Sequence, residues 1–139
     1  MNPRDTRTGG VLESMVLPAL TRGGYKYDTQ KVVGVRLGGR KHKVDILATK
    51  EGRNILISLK WQQTSGTAEQ KVPYEIICLM IAVKENAEYE KAYLVLGGDG
   101  WSLKDFYLSR DLQDYIDYDS QVTILSLERF VALANDGAL

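Results

Sequence analysis

Histidine, cysteine and proline are scarce in this chain, and the first two scarcities close off whole classes of function. Of 139 residues, one is histidine (His42), one is cysteine (Cys78) and three are proline. A single histidine rules out His-rich zinc sites and argues against a histidine-based catalytic triad. A single cysteine forms no internal disulfide. Cys78 lies inside the apolar run Ile76 to Val83 and reads as a buried, inert thiol. A reducing, intracellular and cytoplasmic location is therefore expected. That apolar run is the longest in the chain, far too short to cross a bilayer, and no charged-then-apolar leader precedes it, so no membrane association is expected. The phosphate-loop pattern G-x-x-x-x-G-K-S/T is missing as well. "GGDGW" (97–101) is a glycine turn without it, and no nucleotide cofactor is expected.

Excess charge of either sign is also lacking, with 18 basic and 18 acidic side chains. The two signs are unevenly spread. "RLGGRKHK" (36–43) holds four positive charges beside His42, whereas Asp105, Asp111, Asp114, Asp117 and Asp119 crowd the C-terminal third. A neutral chain with one basic loop does not announce a nucleic-acid partner by composition, although the loop permits one.

The length, and the absence of repeats or linker-like stretches, predict one domain over residues 1–139. Leu12, Met15, Val16, Ala19 and Leu20 fall at helical spacing, with Pro18 loosening a turn and Gly23-Gly24 as the stop. Three strands are predicted at 30–37, 41–49 and 53–61, with turns at Gly38-Gly39 and at 50–52. A helix over 74–86 with Pro73 in its first turn, a strand at 91–98, a helix over 102–116, a strand at 121–126 and a helix over 127–136 complete the order. An antiparallel meander followed by helical crossovers predicts an α/β fold, with a mixed central sheet flanked by helices.

The most informative stretch is "VDILATKEGRNILISLK" (44–60), where polar residues interrupt two apolar strands. Side chains two apart on a strand share a face, so Ser58 and Lys60 point one way and Ile57, Leu59 and Trp61 the other. The meander brings Asp45 beside Ser58 and Lys60. Buried charges are normally paired or metal-bound. One reading is a structural Asp45–Lys60 ion pair at the margin of the sheet. The other is a hydrolytic site for a phosphodiester. Such a site needs a divalent cation on hard oxygen ligands, here Asp45 and the Leu59 backbone carbonyl. It also needs an ammonium, Lys60, to orient or activate water. A second carboxylate is still wanted.

The pattern of Asp45, a short hairpin and then Ser58-Leu59-Lys60 resembles the PD-(D/E)XK nuclease superfamily, with serine at the acidic position of the second half. Glu13 on the first helix is similar to the helix-borne metal-site glutamate of resolvase-like members. Gln70 to Tyr74 ("QKVPY") resembles the Q-x-x-x-Y element of RecB-like members. The resemblance covers about residues 9–98 and implies the restriction endonuclease-like αβββαβ core. It further implies a Mg²⁺- or Mn²⁺-dependent DNA endonuclease of resolvase/repair or restriction/homing type. Asp45 would be a metal ligand, Lys60 the ammonium and Ser58 the holder of a metal-bound water. Glu13, or alternatively Glu75, would complete the metal site; Glu69 is a further acid in reach of the motif. Arg40, Lys41 and Lys43 would track the DNA backbone, Gln62 would touch phosphates or base edges, and Gln70 and Lys71 would support phosphates or the metal site. Cutting both strands of a duplex or junction implies a homodimer, and Phe106, Tyr107, Tyr115 and Phe130 are either its interface or core. Ser58 leaves open a different class, a nucleic-acid-binding or assembly domain that has lost catalysis.

Overall fold

A computed structural model describes residues 9–139; residues 1–8 of the expected domain lie outside the described residues. The sheet has five strands in the order of the chain: β1 (Lys26–Val35), β2 (Lys41–Lys50), β3 (Arg53–Trp61), β4 (Lys91–Gly97) and β5 (Val122–Ser126). The first three pair antiparallel, and β3–β4 and β4–β5 pair parallel. Parallel neighbours demand crossovers. Helix α2 (Val72–Glu85) makes the first, after a 3₁₀ turn at Ala68–Lys71. The short helix α3 (Lys104–Leu108) and a second 3₁₀ turn, Asp111–Asp114, make the next. Helix α4 (Leu127–Asn135) follows β5, its first turn capped by the Ser126 hydroxyl accepting from the Arg129 N–H at 3.2 Å.

The first helix, α1, begins with a π-helical segment, Leu12–Val16, and continues as Leu17–Arg22. Pro18 explains the change of pitch. It has no N–H to give to the carbonyl of Ser14, so the turn before it widens. The helix closes at Gly23, whose N–H donates to the Ala19 carbonyl at 3.0 Å. Gly23 also touches α4 so closely that a Cβ would lie 1.8 Å from the carbonyl oxygen of Ala134. Gly23→Ala should therefore push α1 and α4 apart and destabilise the fold by about 1–3 kcal/mol, the usual range for overpacking, read as a lowered denaturant midpoint.

Two apolar layers sandwich the sheet. On one face Val16, Ala19 and Leu20 of α1 and Phe130 of α4 pack on Ile46, Ala48, Ile55, Ile57 and Leu59. On the other, Val72, Ile76 and Leu79 of α2 pack on Val44, Leu56, Leu94 and Leu96. Each fully buried aliphatic side chain contributes about 1.5–3 kcal/mol. β3 and β4, buried on both faces, are thus the rigid centre of the molecule. The β2–β3 turn is tight, with Glu51 (φ 53°) and Gly52 (φ 79°) both left-handed.

The predicted element order is the observed one, with two differences of extent. β1 starts at Lys26 rather than residue 30, because an edge strand with nine of ten residues outside the core carries no alternating apolar signal. The helix expected over 102–116 breaks after Leu108, where Arg110 takes a left-handed conformation (φ 74°). Of the four aromatic residues weighed for a dimer interface, Tyr107 and Phe130 are core and Phe106 packs against it; Tyr115 is 79% exposed. Among the described residues no helix is long and apolar enough to cross a membrane.

Candidate active site

The sheet comes apart at Asp45. Val44 packs under α2, yet Ile46, two residues on, packs in the opposite core layer. A regular strand would keep both on one face. Across from this switch, on β1, Gln30 falls between the pairs Thr29↔Ile46 and Lys31↔Val44 and adopts φ 53°. The β2–β3 ladder ends at Ile46↔Ile57. Past that point the Leu59 N–H donates to Asp45 Oδ2 at 2.7 Å, so the aspartate side chain takes the place of a strand partner. The carboxylate is held, half-buried, in the fork between two strands.

Ser58 and Lys60 share one face of β3, as their spacing predicted, and it is the face that α2 covers. The buried Ser58 hydroxyl donates to Glu75 Oε2 at 2.8 Å. Glu75 is the one acid on the buried stripe Val72, Glu75, Ile76, Leu79 of α2, which helical periodicity presses against the sheet. The same oxygen lies 3.0 Å from Nε2 of His42, a side chain only 1% exposed. The site residues therefore come from β2 (His42, Asp45), β3 (Ser58, Lys60) and α2 (Glu75).

The two acids are tuned apart. Burial raises the pKa of Asp45 above the ordinary carboxylate range; the Leu59 N–H and the Lys60 charge oppose it, the negative charge of Glu75 adds to it, and the Gln30 amide opposes it. Burial also pushes Glu75 upward, but the hydrogen bond from His42, the Lys60 ammonium and the Ser58 hydroxyl outweigh it and hold Glu75 below its ordinary value. Lys60 thus acts on both carboxylates, but the ion pairs found within 4.0 Å among the described residues are His42–Glu75, Arg53–Glu90 and Arg110–Asp119. The plain Asp45–Lys60 ion pair weighed from the sequence is not formed.

No three His, Cys, Asp or Glu side chains among the described residues close on a common metal position. A magnesium-type site does not require that, since Mg²⁺ commonly takes one or two carboxylates, with water and substrate phosphate supplying the rest. The donors here fit such an ion. Asp45 carries a burial penalty that no ion pair relieves, the Glu75 charge aggravates it, and both side chains offer hard oxygen donors.

The remaining predicted residues divide. Glu13 is exposed on α1 and lines an open groove of about 430 Å³ with Leu17, Pro18, Thr21, Arg22 and Tyr27. Glu75, by contrast, meets Ser58 of the motif directly. Arg40, Lys41, Lys43, Gln70 and Lys71 are all exposed. Gln62 is buried; its amide donates to Glu69 Oε1 at 3.0 Å and to the Gly100 carbonyl at 2.8 Å, and its oxygen accepts from the Glu69 N–H at 3.3 Å. Tyr74 donates to the Leu37 carbonyl at 3.1 Å, tying the start of α2 to the β1–β2 hairpin.

Glu69 belongs to this bracing and not to the site. It accepts from the Ser102 N–H and, at 2.7 Å, from the Ser102 hydroxyl. These two bonds, the backbone one first, hold its pKa below the usual carboxylate value. A folded pKa below the unfolded one contributes stability that is complete above the unfolded value and fades as pH falls through the folded value. Glu69→Ala should accordingly speed proteolysis within residues 62–71 at neutral pH, and its difference from the native chain should shrink on acidification.

Sequence reasoning missed the part played by His42. It sits between two exposed lysines in a basic run, and only its alternation with them hinted that it points inward.

The profile of the PD-(D/E)XK nuclease superfamily domain matches residues 4–138. The chain belongs to the PD-(D/E)XK nuclease superfamily. No curated protein matches it. Among solved structures it is similar to a crystallised protein of unknown function, AF1548, at 12% identity and a TM-score of 0.48, over 80% of this chain and 54% of that one. The chain thus spans about half the length of that protein.

Proposed function

We propose that the chain is a divalent-metal-dependent DNA endonuclease using Mg²⁺ or Mn²⁺. One observation carries this reading: the Asp45 carboxylate is held in the fork of the sheet by the Leu59 N–H at 2.7 Å, with no ion pair within 4.0 Å among the described residues to neutralise it. The charges of Lys60 and Glu75 both act on it. Family membership supports a nucleic-acid substrate. Asp45 and Glu75, in preference to Glu13, hold the cation, with the Leu59 backbone carbonyl as a further oxygen. When bound, the cation polarises the scissile phosphate and acidifies a water. Lys60 orients that water and balances the charge that develops on the phosphate. Ser58 gives up the motif's own carboxylate and instead holds Glu75. Arg40, Lys41 and Lys43, exposed along the hairpin, meet the DNA backbone as phosphate contacts, with Gln70 and Lys71 at the start of α2. A homodimer gives the two cutting sites that a duplex or junction requires.

Serine at position 58 favours one second reading, a nucleic-acid-binding domain without catalysis. Incubating the protein with supercoiled plasmid, linear duplex and a four-way junction, with Mg²⁺, Mn²⁺ or EDTA, separates the two. Metal-dependent cutting supports the enzyme, and its preferred substrate assigns a structure-specific or sequence-specific subclass. DNA binding without cutting on any substrate supports the binding domain.

A further inference from the structure

His42 is unusual among the buried side chains of the α2 layer. Its neighbours there are mostly aliphatic, yet it is an imidazole at 1% exposure with one ring nitrogen, Nδ1, that has no hydrogen-bond partner. Buried polar atoms are nearly always paired, so an orphan calls for a reason. β1 bulges between Val32 and Gly34, and the extra residue sets His42 opposite Gly34. The ring reaches Glu75 through Nε2. A carboxylate that holds a cation is ionised and only accepts, so in the site proposed above Nε2 is the donor.

Two donors converge on one oxygen. The Ser58 hydroxyl and His42 Nε2 both bond to Glu75 Oε2, and among the described residues no donor reaches Oε1. A carboxylate held by one oxygen cannot turn about its last bond without breaking both contacts. The other oxygen is left with its lone pairs unengaged.

We propose that His42 is a positioning residue of the metal site: with Ser58 it fixes Glu75 through Oε2, so that Oε1 stays free to take the cation. This rests on the metal site proposed above and assigns a device that compensates for the missing acid at position 58. Outer residues that hydrogen-bond a ligand are worth about 10–100-fold in metal affinity.

The test is Mn²⁺ titration of the full chain at one fixed pH, followed by electron paramagnetic resonance and by calorimetry. His42→Leu, close to histidine in volume, should weaken Mn²⁺ binding about 10–100-fold. His42→Gln should retain most of the affinity, because its amide nitrogen can stand where Nε2 stands. His42→Asn, one carbon shorter, should not. The glutamine–asparagine comparison serves even if the leucine variant does not fold. In a Glu75→Gln background, removing His42 should have no further effect, since the two act as a unit. If the folded His42 variants bind Mn²⁺ like the native chain, or lose affinity equally in the Glu75→Gln background, His42 is a packing residue and the proposal falls. A native chain that binds no Mn²⁺ overturns the metal site itself. Binding that depends on Asp45 but not on His42 overturns this inference alone.

Discussion

Lys60→Ala should lower DNA cleavage by about 10²–10⁴-fold, the range for loss of a positioned acid–base group, while leaving the fold intact. Lys60 is half-buried at the end of β3, aligned with Leu96 of β4, and forms no ion pair within 4.0 Å among the described residues. Its removal therefore orphans no partner. Its influence is electrostatic, since it lowers the pKa of both Asp45 and Glu75. Taking it away lets both values rise, so in acid the acids would bind a cation less readily. On the alkaline side, where ionisation of both is favoured with or without Lys60, loss of a like charge should leave Mn²⁺ affinity unchanged or slightly tighter. The combination to look for is cleavage lost with metal binding kept. A variant that still cuts at the native rate removes Lys60 from the chemistry. One that loses Mn²⁺ binding at alkaline pH makes it a structural support.

Asp45→Asn should do the reverse: abolish metal binding and reduce cleavage to the level seen in EDTA, while making the metal-free protein more heat-stable. Asparagine can still accept the Leu59 N–H, so the fork stays tied. What it removes is a carboxylate whose folded pKa lies above its unfolded value. Such a group subtracts stability when ionised, and the subtraction sets in as pH rises from the ordinary carboxylate range through the folded value. The thermal advantage of Asp45→Asn should therefore be absent in acid and grow towards neutrality. Mn²⁺ should reverse the ranking. A ligand that binds only the folded state at 100 times its Kd stabilises by about 2.7 kcal/mol, and only the aspartate form gains it. Differential scanning calorimetry with and without metal reads both arms. An asparagine variant less stable than the native chain at neutral pH would mean that Asp45 is a structural acid.

How much of this was legible in the sequence depends on how far each contact reaches along the chain. Asp45 and Lys60 lie on the two arms of one tight hairpin, so turn chemistry and strand alternation bring them together without knowledge of the rest. Glu75 was visible in a weaker way, as an acid on an otherwise apolar helical stripe. That it meets Ser58 needs the docking of α2 on β3, which no local pattern encodes. His42 depended on the same docking and on a bulge in β1, and its sequence neighbourhood resembles a solvated, basic hairpin tip. Gln62 looked like a polar loop residue because its partners, Glu69 and Gly100, are brought over it by two separate crossovers. The early start of β1 was hidden for the opposite reason, since an exposed edge buries too little to leave a pattern.

The division of the site between one hairpin and one helix also orders its assembly in time. A hairpin closes in about 1–10 μs from local contacts alone. α2 comes to rest only when β4 has joined β3 in parallel across a crossover of some thirty residues, a slower, long-range event. Asp45 and Lys60 are therefore expected to meet early on the folding path, and Glu75 to arrive with the helix that seals the core. Were the second acid at position 58 instead, both carboxylates would belong to the early hairpin. With the acid on α2, the complete set of acids of the proposed site should appear only once the chain has finished folding, which would couple the competence of that site to the maturity of the whole molecule.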